Sequence, residues 1–102
     1  MKFQFNLTKQ TLQITHGKNS LTLSQRWQFT APYGSTGFYL EPNHWIIFSL
    51  YQEQVQAFYK IPTEDNSAIY YQRELTRPAS GIIEVEFSKW DRMIKGRNKS
   101  EQ

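Results

Sequence analysis

The sequence predicts a mainly β chain, a small antiparallel barrel closed by one short C-terminal helix, on three observations. Apolar and polar residues alternate with the period of a strand through most of the chain, as in Phe3, Phe5 and Leu7 against Lys2, Gln4 and Asn6. Turn-forming clusters such as HGKN, APYGSTG and TEDNS interrupt that alternation at short intervals. Helical spacing occurs in one place, within SKWDRMIKGRNK, Ser88 to Lys99. A length of 102 residues suits a single domain, because two pieces would each be short of core, and the 7 Phe, 6 Tyr and 3 Trp supply much of the volume a small core needs. The expected domain covers residues 1–96, with the helix at 89–96 and a basic tail at 97–102.

Taken in order, Phe3 to Leu7 reads as a half-buried strand, and Leu12 and Ile14 repeat the pattern after the Lys9–Gln10 break. Gly17 lets HGKN turn back, because glycine adopts positive φ without a Cβ clash. Leu21 and Leu23 continue the alternation to Trp27 and Phe29, with a bulge or bend expected at Gln25–Arg26. APYGSTG, Ala31 to Gly37, is a loop by composition. Phe38 to Leu40 follows, then WIIFSLY, whose aromatic and β-branched residues favour a buried strand. Gln54 to Ile61, Ser67 to Leu75 and Gly81 to Phe87 complete seven or eight strands, the pattern of an antiparallel barrel or sandwich. Ser88 is placed to cap the final helix with Asp91 at its third position, and Trp90, Met93 and Ile94 make one apolar face that would plug a barrel end.

Charge is unevenly spread. Residues 1–52 carry +3, residues 53–88 carry −3, and residues 89–102 carry +3 from Lys89, Arg92, Lys95, Arg97 and Lys99 against Asp91 and Glu101. A basic end on a mixed body favours an anionic partner. No cysteine is present, which excludes disulfides, thiolate metal sites and cysteine nucleophiles. MKFQFNLTKQ alternates where a signal peptide would run apolar, and no segment approaches the ~18–20 apolar residues of a membrane span, so a cytoplasmic protein without a membrane partner is expected.

Catalytic chemistry finds little support in the residue pattern. GSTG lacks the Lys of a phosphate-binding loop, although its glycines would let a nucleic-acid backbone approach. His16 and His44 sit in turn-like settings without metal-ligand spacing, and neither metal nor cofactor is expected. Glu84 and Glu86 share one strand face, where close carboxylates can raise one pKa, but a solvated sheet face is the better reading. Aromatic rings beside cations point elsewhere. A parity that buries Tyr70 turns Ile69, Tyr71 and Arg73 outward, and Phe58 and Lys60 oppose Ala57 and Tyr59. Rings and cations on one barrel face are what single-stranded nucleic-acid binders use.

The opening MKFQFNLTKQTLQI, the mid-chain GFYLEP and the small basic β-rich character resemble the PrgU-like proteins of enterococcal pheromone-responsive conjugative plasmids. That resemblance implies a PUA-like fold and restraint of the production of conjugation surface proteins, through RNA. The leading expectation is therefore a non-enzymatic RNA-binding regulator, with Lys89, Arg92, Lys95 and Arg97 on phosphates and Arg73 and Tyr71 in secondary roles. Two alternatives stand beside it: a small metal-free ribonuclease using His16 or His44 with Glu84 or Arg73, and a protein-interaction module using an exposed strand edge.

Overall fold

The computed structural model describes residues 1–87 and the backbone of residues 93–95. Strands β1 (Lys2–Asn6), β2 (Thr11–His16), β3 (Asn19–Leu23) and β9 (Ile82–Glu86) form an antiparallel sheet in the order β3-β2-β1-β9. A second antiparallel sheet runs β10-β8-β7-β6-β5-β4. Its members are β4 (Gln28–Thr30), β5 (Thr36–Glu41), β6 (His44–Tyr51), β7 (Gln54–Pro62), β8 (Ala68–Thr76) and β10 (Met93–Lys95).

Period-two alternation decides what lies between the sheets. Phe3, Phe5, Leu12, Ile83 and Val85 of the first sheet are buried against Phe38, Ile46, Phe48, Val55, Ala57 and Tyr59 of the second. Phe5 is the centre of this contact, with its ring stacked on Phe48 at 4.9 Å and edge-on to Phe38 at 5.3 Å. Burying one such side chain contributes roughly 1.5–3 kcal/mol.

Three expectations are corrected. The sheets share a core but do not close into a barrel. After β3 the chain bends through a 3-10 turn, Gln25–Trp27, at the expected bulge or bend, and β4 pairs with β5 in the second sheet. Among the described residues the only helical elements are two 3-10 turns, Gln25–Trp27 and Pro32–Gly34. The expected helix at 89–96 is contradicted at its centre: Met93, Ile94 and Lys95 form a strand opposite Tyr71, Tyr70 and Ile69 of β8. An open strand edge offers the backbone a ladder of hydrogen bonds, and this outweighs the helical spacing of Met93 and Ile94. The remainder of that expected helix, Trp90 included, and the tail at 97–102 lie outside the described residues.

The third correction is local. Thr36 and Gly37, expected in a loop, begin β5. Gly37 lies beneath the Phe29 ring, and a Cβ there would meet ring carbons Cζ, Cε1 and Cε2 well inside contact distance, so the close approach explains the glycine. Among the described residues no helix is long and apolar enough to cross a membrane.

Candidate nucleic-acid interface

Pairing within the six-stranded sheet arranges its outer face in rows. Tyr39, Trp45, Lys60 and Tyr70 lie opposite one another across β5, β6, β7 and β8 and make the first row. Gly37, Ile47, Phe58 and Gln72 make the second, with Phe29 of β4 opposite Gly37. Ser49, Gln56 and Glu74 make the third. Successive rows are two residues apart, about 7 Å.

The first two rows are aromatic. Trp45, Ile47, Phe58 and Tyr70 are half-buried and Tyr39 is exposed, although none of them points into the shared core. Phe29 stacks on Tyr39 with centroids 4.1 Å apart, and Trp45 tilts toward Tyr70 at 6.0 Å. Lys60 Nζ lies 5.7 Å from the Trp45 ring centroid, within cation–π range. The third row is polar: Ser49, Tyr51, Gln54, Gln56 and Glu74 line a shallow depression of about 360 Å³, and Gln56 Nε2 donates to Glu74 Oε2 at 3.0 Å.

The expected site residues fall differently. Register places Arg73 opposite the buried Ala57 and Tyr71 opposite the buried Tyr59, so both lie on the inner side and the outward assignment is reversed. Tyr71 packs near Phe87 at 6.1 Å and Tyr59 at 6.3 Å, while Arg73 Nη1 donates to the Glu86 carbonyl at 3.1 Å. Phe58 and Lys60 do oppose Ala57 and Tyr59, as the alternation predicts. Lys95 lies in β10 at the register position opposite Ile69, and Lys89, Arg92 and Arg97 lie outside the described residues. Trp45 and Ile47 were missed, because WIIFSLY is apolar on both parities and reads as a strand buried on both faces, and Tyr39 was missed within the short strand Phe38 to Leu40, where apolar residues follow one another without a polar face.

The two histidines occupy different settings. His16 ends β2 at an exposed hairpin. His44 Nε2 lies 2.7 Å from the Tyr59 hydroxyl and its Nδ1 lies 4.0 Å from Glu41 Oε2, while the Tyr59 hydroxyl donates to Met1 Sδ at 3.4 Å. Burial holds the His44 ring below its ordinary pKa, with Glu41 opposing, and burial pushes the Tyr59 phenol up to about 12. This chain gives a buried hydroxyl its hydrogen-bond partners, as a buried tyrosine requires. Glu84 and Glu86 stand on the outer face of the first sheet, where Glu84 accepts from Gln4 Nε2 at 3.0 Å. Among the described residues no group of three or more His, Asp or Glu is placed to hold a metal ion.

No protein-family model, curated protein or solved structure matches the chain.

Proposed function

We propose that the protein is a non-enzymatic regulator that binds single-stranded RNA across the outer face of its six-stranded sheet. One observation carries this reading: Tyr39, Trp45, Tyr70 and Phe58 stand on an outer face with Lys60 among them. Unpaired bases stack on such rings at roughly 1–3 kcal/mol each, and cations follow the phosphates. A second feature supports it. β10 lays its backbone along β8, with Ile94 at the register position opposite Tyr70 and Lys95 opposite Ile69, so one basic residue of the basic C-terminal stretch lies in the strand that edges this sheet. Lys89, Arg92, Lys95 and Arg97 remain the proposed phosphate contacts, whereas Tyr71 and Arg73 act from the inner side by shaping β8. The resemblance to PrgU-like proteins favours the same RNA-linked restraint of gene expression.

Anisotropy titration of a labelled single-stranded RNA tests the reading. The wild type binds it in preference to a duplex, and Trp45→Ala with Phe58→Ala weakens binding at least about tenfold. Equal affinity of the double variant, with its strand circular dichroism intact, removes the face from the mechanism.

One observation favours a second reading, in which a partner chain pairs with β3. That edge strand, NSLTL, carries no charge and no proline, and its Leu21 is 58% exposed. Leu21→Lys should then abolish any self-association seen by sedimentation, and a monomer at all concentrations, before and after substitution, rules out self-pairing.

A further inference from the structure

We infer that the polar depression of the third row reads base identity and selects guanine, the base lying on Phe58; this rests on the RNA-binding reading above. Phe58 occupies the middle of β7's outer side, with Lys60 two residues to one side and Gln56 two residues to the other, each about 7 Å away along the strand. A nucleotide is polar in the same sense, with its phosphate and its Watson–Crick edge at opposite ends. A base stacked on Phe58 with its phosphate toward Lys60 therefore turns that edge toward Gln56 and Glu74. The reverse orientation would bring a phosphate to the Glu74 carboxylate, and like charges oppose it.

Hydrogen-bond capacity then decides which base fits. Gln56 spends one amide N–H on Glu74 Oε2 at 3.0 Å, which fixes its amide and leaves its carbonyl oxygen free to accept. Glu74 is exposed and forms no ion pair among the described residues, so its carboxylate keeps lone pairs to offer. Ser49 and Tyr51 hydroxyls and the Gln54 amide complete the lining. These hydroxyls and amides can each donate or accept, so the Glu74 carboxylate is the one acceptor-only group of the lining. Guanine alone presents two adjacent donors, N1–H and the 2-amino group, which match the two oxygens of a carboxylate. Adenine and cytosine each set one amino donor beside a ring acceptor, and uracil sets one N–H between two carbonyls, so each brings an acceptor against Glu74. A charge-assisted bidentate pair is the stronger kind of hydrogen bond and discriminates accordingly.

The test uses the full chain and dye-labelled octa-uridine RNAs carrying one central guanosine, inosine or adenosine. The guanosine RNA should bind roughly tenfold tighter than the adenosine RNA, with inosine, which lacks the 2-amino group, in between. Glu74→Gln replaces an acceptor by a donor and should bring the guanosine RNA down to the affinity of the adenosine RNA. Equal wild-type affinity for guanosine and adenosine RNAs, still weakened by Phe58→Ala, overturns guanine selection and leaves the stacking reading standing. A guanosine preference that survives in Glu74→Gln overturns the assignment to this depression. Binding of none of the three RNAs overturns both.

Discussion

The two sheets present opposite outer faces although their inner faces do the same work. On the four-stranded sheet the outer side is hydrophilic apart from Ile82, which is exposed at the start of β9. Gln4 donates to Glu84, Gln13 Nε2 donates to Ser20 Oγ at 3.0 Å, and Lys2 lies 3.9 Å from Glu84. On the six-stranded sheet the outer side carries Trp45, Ile47, Phe58 and Tyr70. Folding explains the first arrangement, because an antiparallel sheet with one buried face alternates apolar and polar residues. It does not explain the second, since side chains on that face add nothing to the core of Phe3, Phe5, Phe38 and Phe48. Apolar rings that the core does not use are the physical reason to assign function to this face.

The sharpest way to break the comparison is to show that the inner faces are not the stabilising ones. Phe5 is fully buried between Phe38 and Phe48, so Phe5→Ala leaves a cavity between the sheets and should cost about 3–5 kcal/mol. Urea denaturation measures this directly. Loss of less than about 1 kcal/mol would mean that the sheets do not depend on their shared core.

Next in size is a contrast between neighbours on the same two strands, Tyr59 and Tyr71 inside against Lys60 and Tyr70 outside. Burial first, then Tyr71 and Glu41, push the Tyr59 phenol up to about 12 from its ordinary 10.0. The unfolded chain therefore ionises before the folded one. Stability from this group is complete below 10.0 and declines as pH rises toward 12, by roughly 2–3 kcal/mol at most. His44 acts on the acid side: burial lowers its pKa from 6.5, so its contribution is present above that value and is lost as pH falls. Tyr59→Phe should flatten the alkaline decline between about pH 9 and about pH 12 in urea titrations. A decline of unchanged slope would place its origin outside Tyr59.

A third substitution tests how tightly the aromatic face is built. A Cβ at Gly37 collides with the Phe29 ring, so Gly37→Ala must push that ring off its stack with Tyr39 or move β4. Overpacking of this kind costs roughly 1–3 kcal/mol, and here the strand edge can yield, which favours the lower figure. Tyrosine and phenylalanine ring resonances should shift at Phe29 and Tyr39 while those of Phe3 and Phe5 stay in place. Shifts spread through the core would show that the two faces are mechanically coupled.

Much of the fold is legible in the sequence where one face of a strand is polar. Phe3-Phe5 and Ile83-Val85 alternate against Lys2, Gln4, Glu84 and Glu86, and the pattern leaves one choice of inner side. Legibility fails where both sides are apolar. In AIYYQRELT either Tyr70 or Tyr71 satisfies the alternation, and only pairing with β7, which sets Tyr71 against Tyr59, decides it. WIIFSLY hides Trp45 and Ile47 for the same reason. The C-terminal segment fails differently: Met93 and Ile94 suit a helix locally, but the edge of β8 recruits them as a strand, a tertiary choice that periodicity does not carry. The candidate site was therefore visible as a composition, rings beside Lys60, and not as a surface.

The smallest effect sharpens the comparison most, because it holds charge constant and changes only the face. Lys2→Gln and Lys60→Gln each remove one positive charge, one from the polar outer face and one from the aromatic face. Lys2 pairs with Glu84 at 3.9 Å with both side chains well exposed, and such surface pairs contribute about 0–1 kcal/mol. Long-range attraction for RNA falls similarly in both variants, since each lowers the net charge of +3 by one. Lys60 differs by position: it stands between Trp45 and Tyr70, where stacked bases would bring their phosphates, so its loss removes a direct contact as well. One lost phosphate contact on a single strand lowers the salt slope of log affinity by roughly 0.7. Titrations at several salt concentrations should therefore give Lys60→Gln a slope shallower by about that amount and leave Lys2→Gln near the wild-type slope. Identical slopes for the two variants would mean that RNA senses the protein's charge without touching this face, and stacking on Trp45 and Phe58 would lose its support.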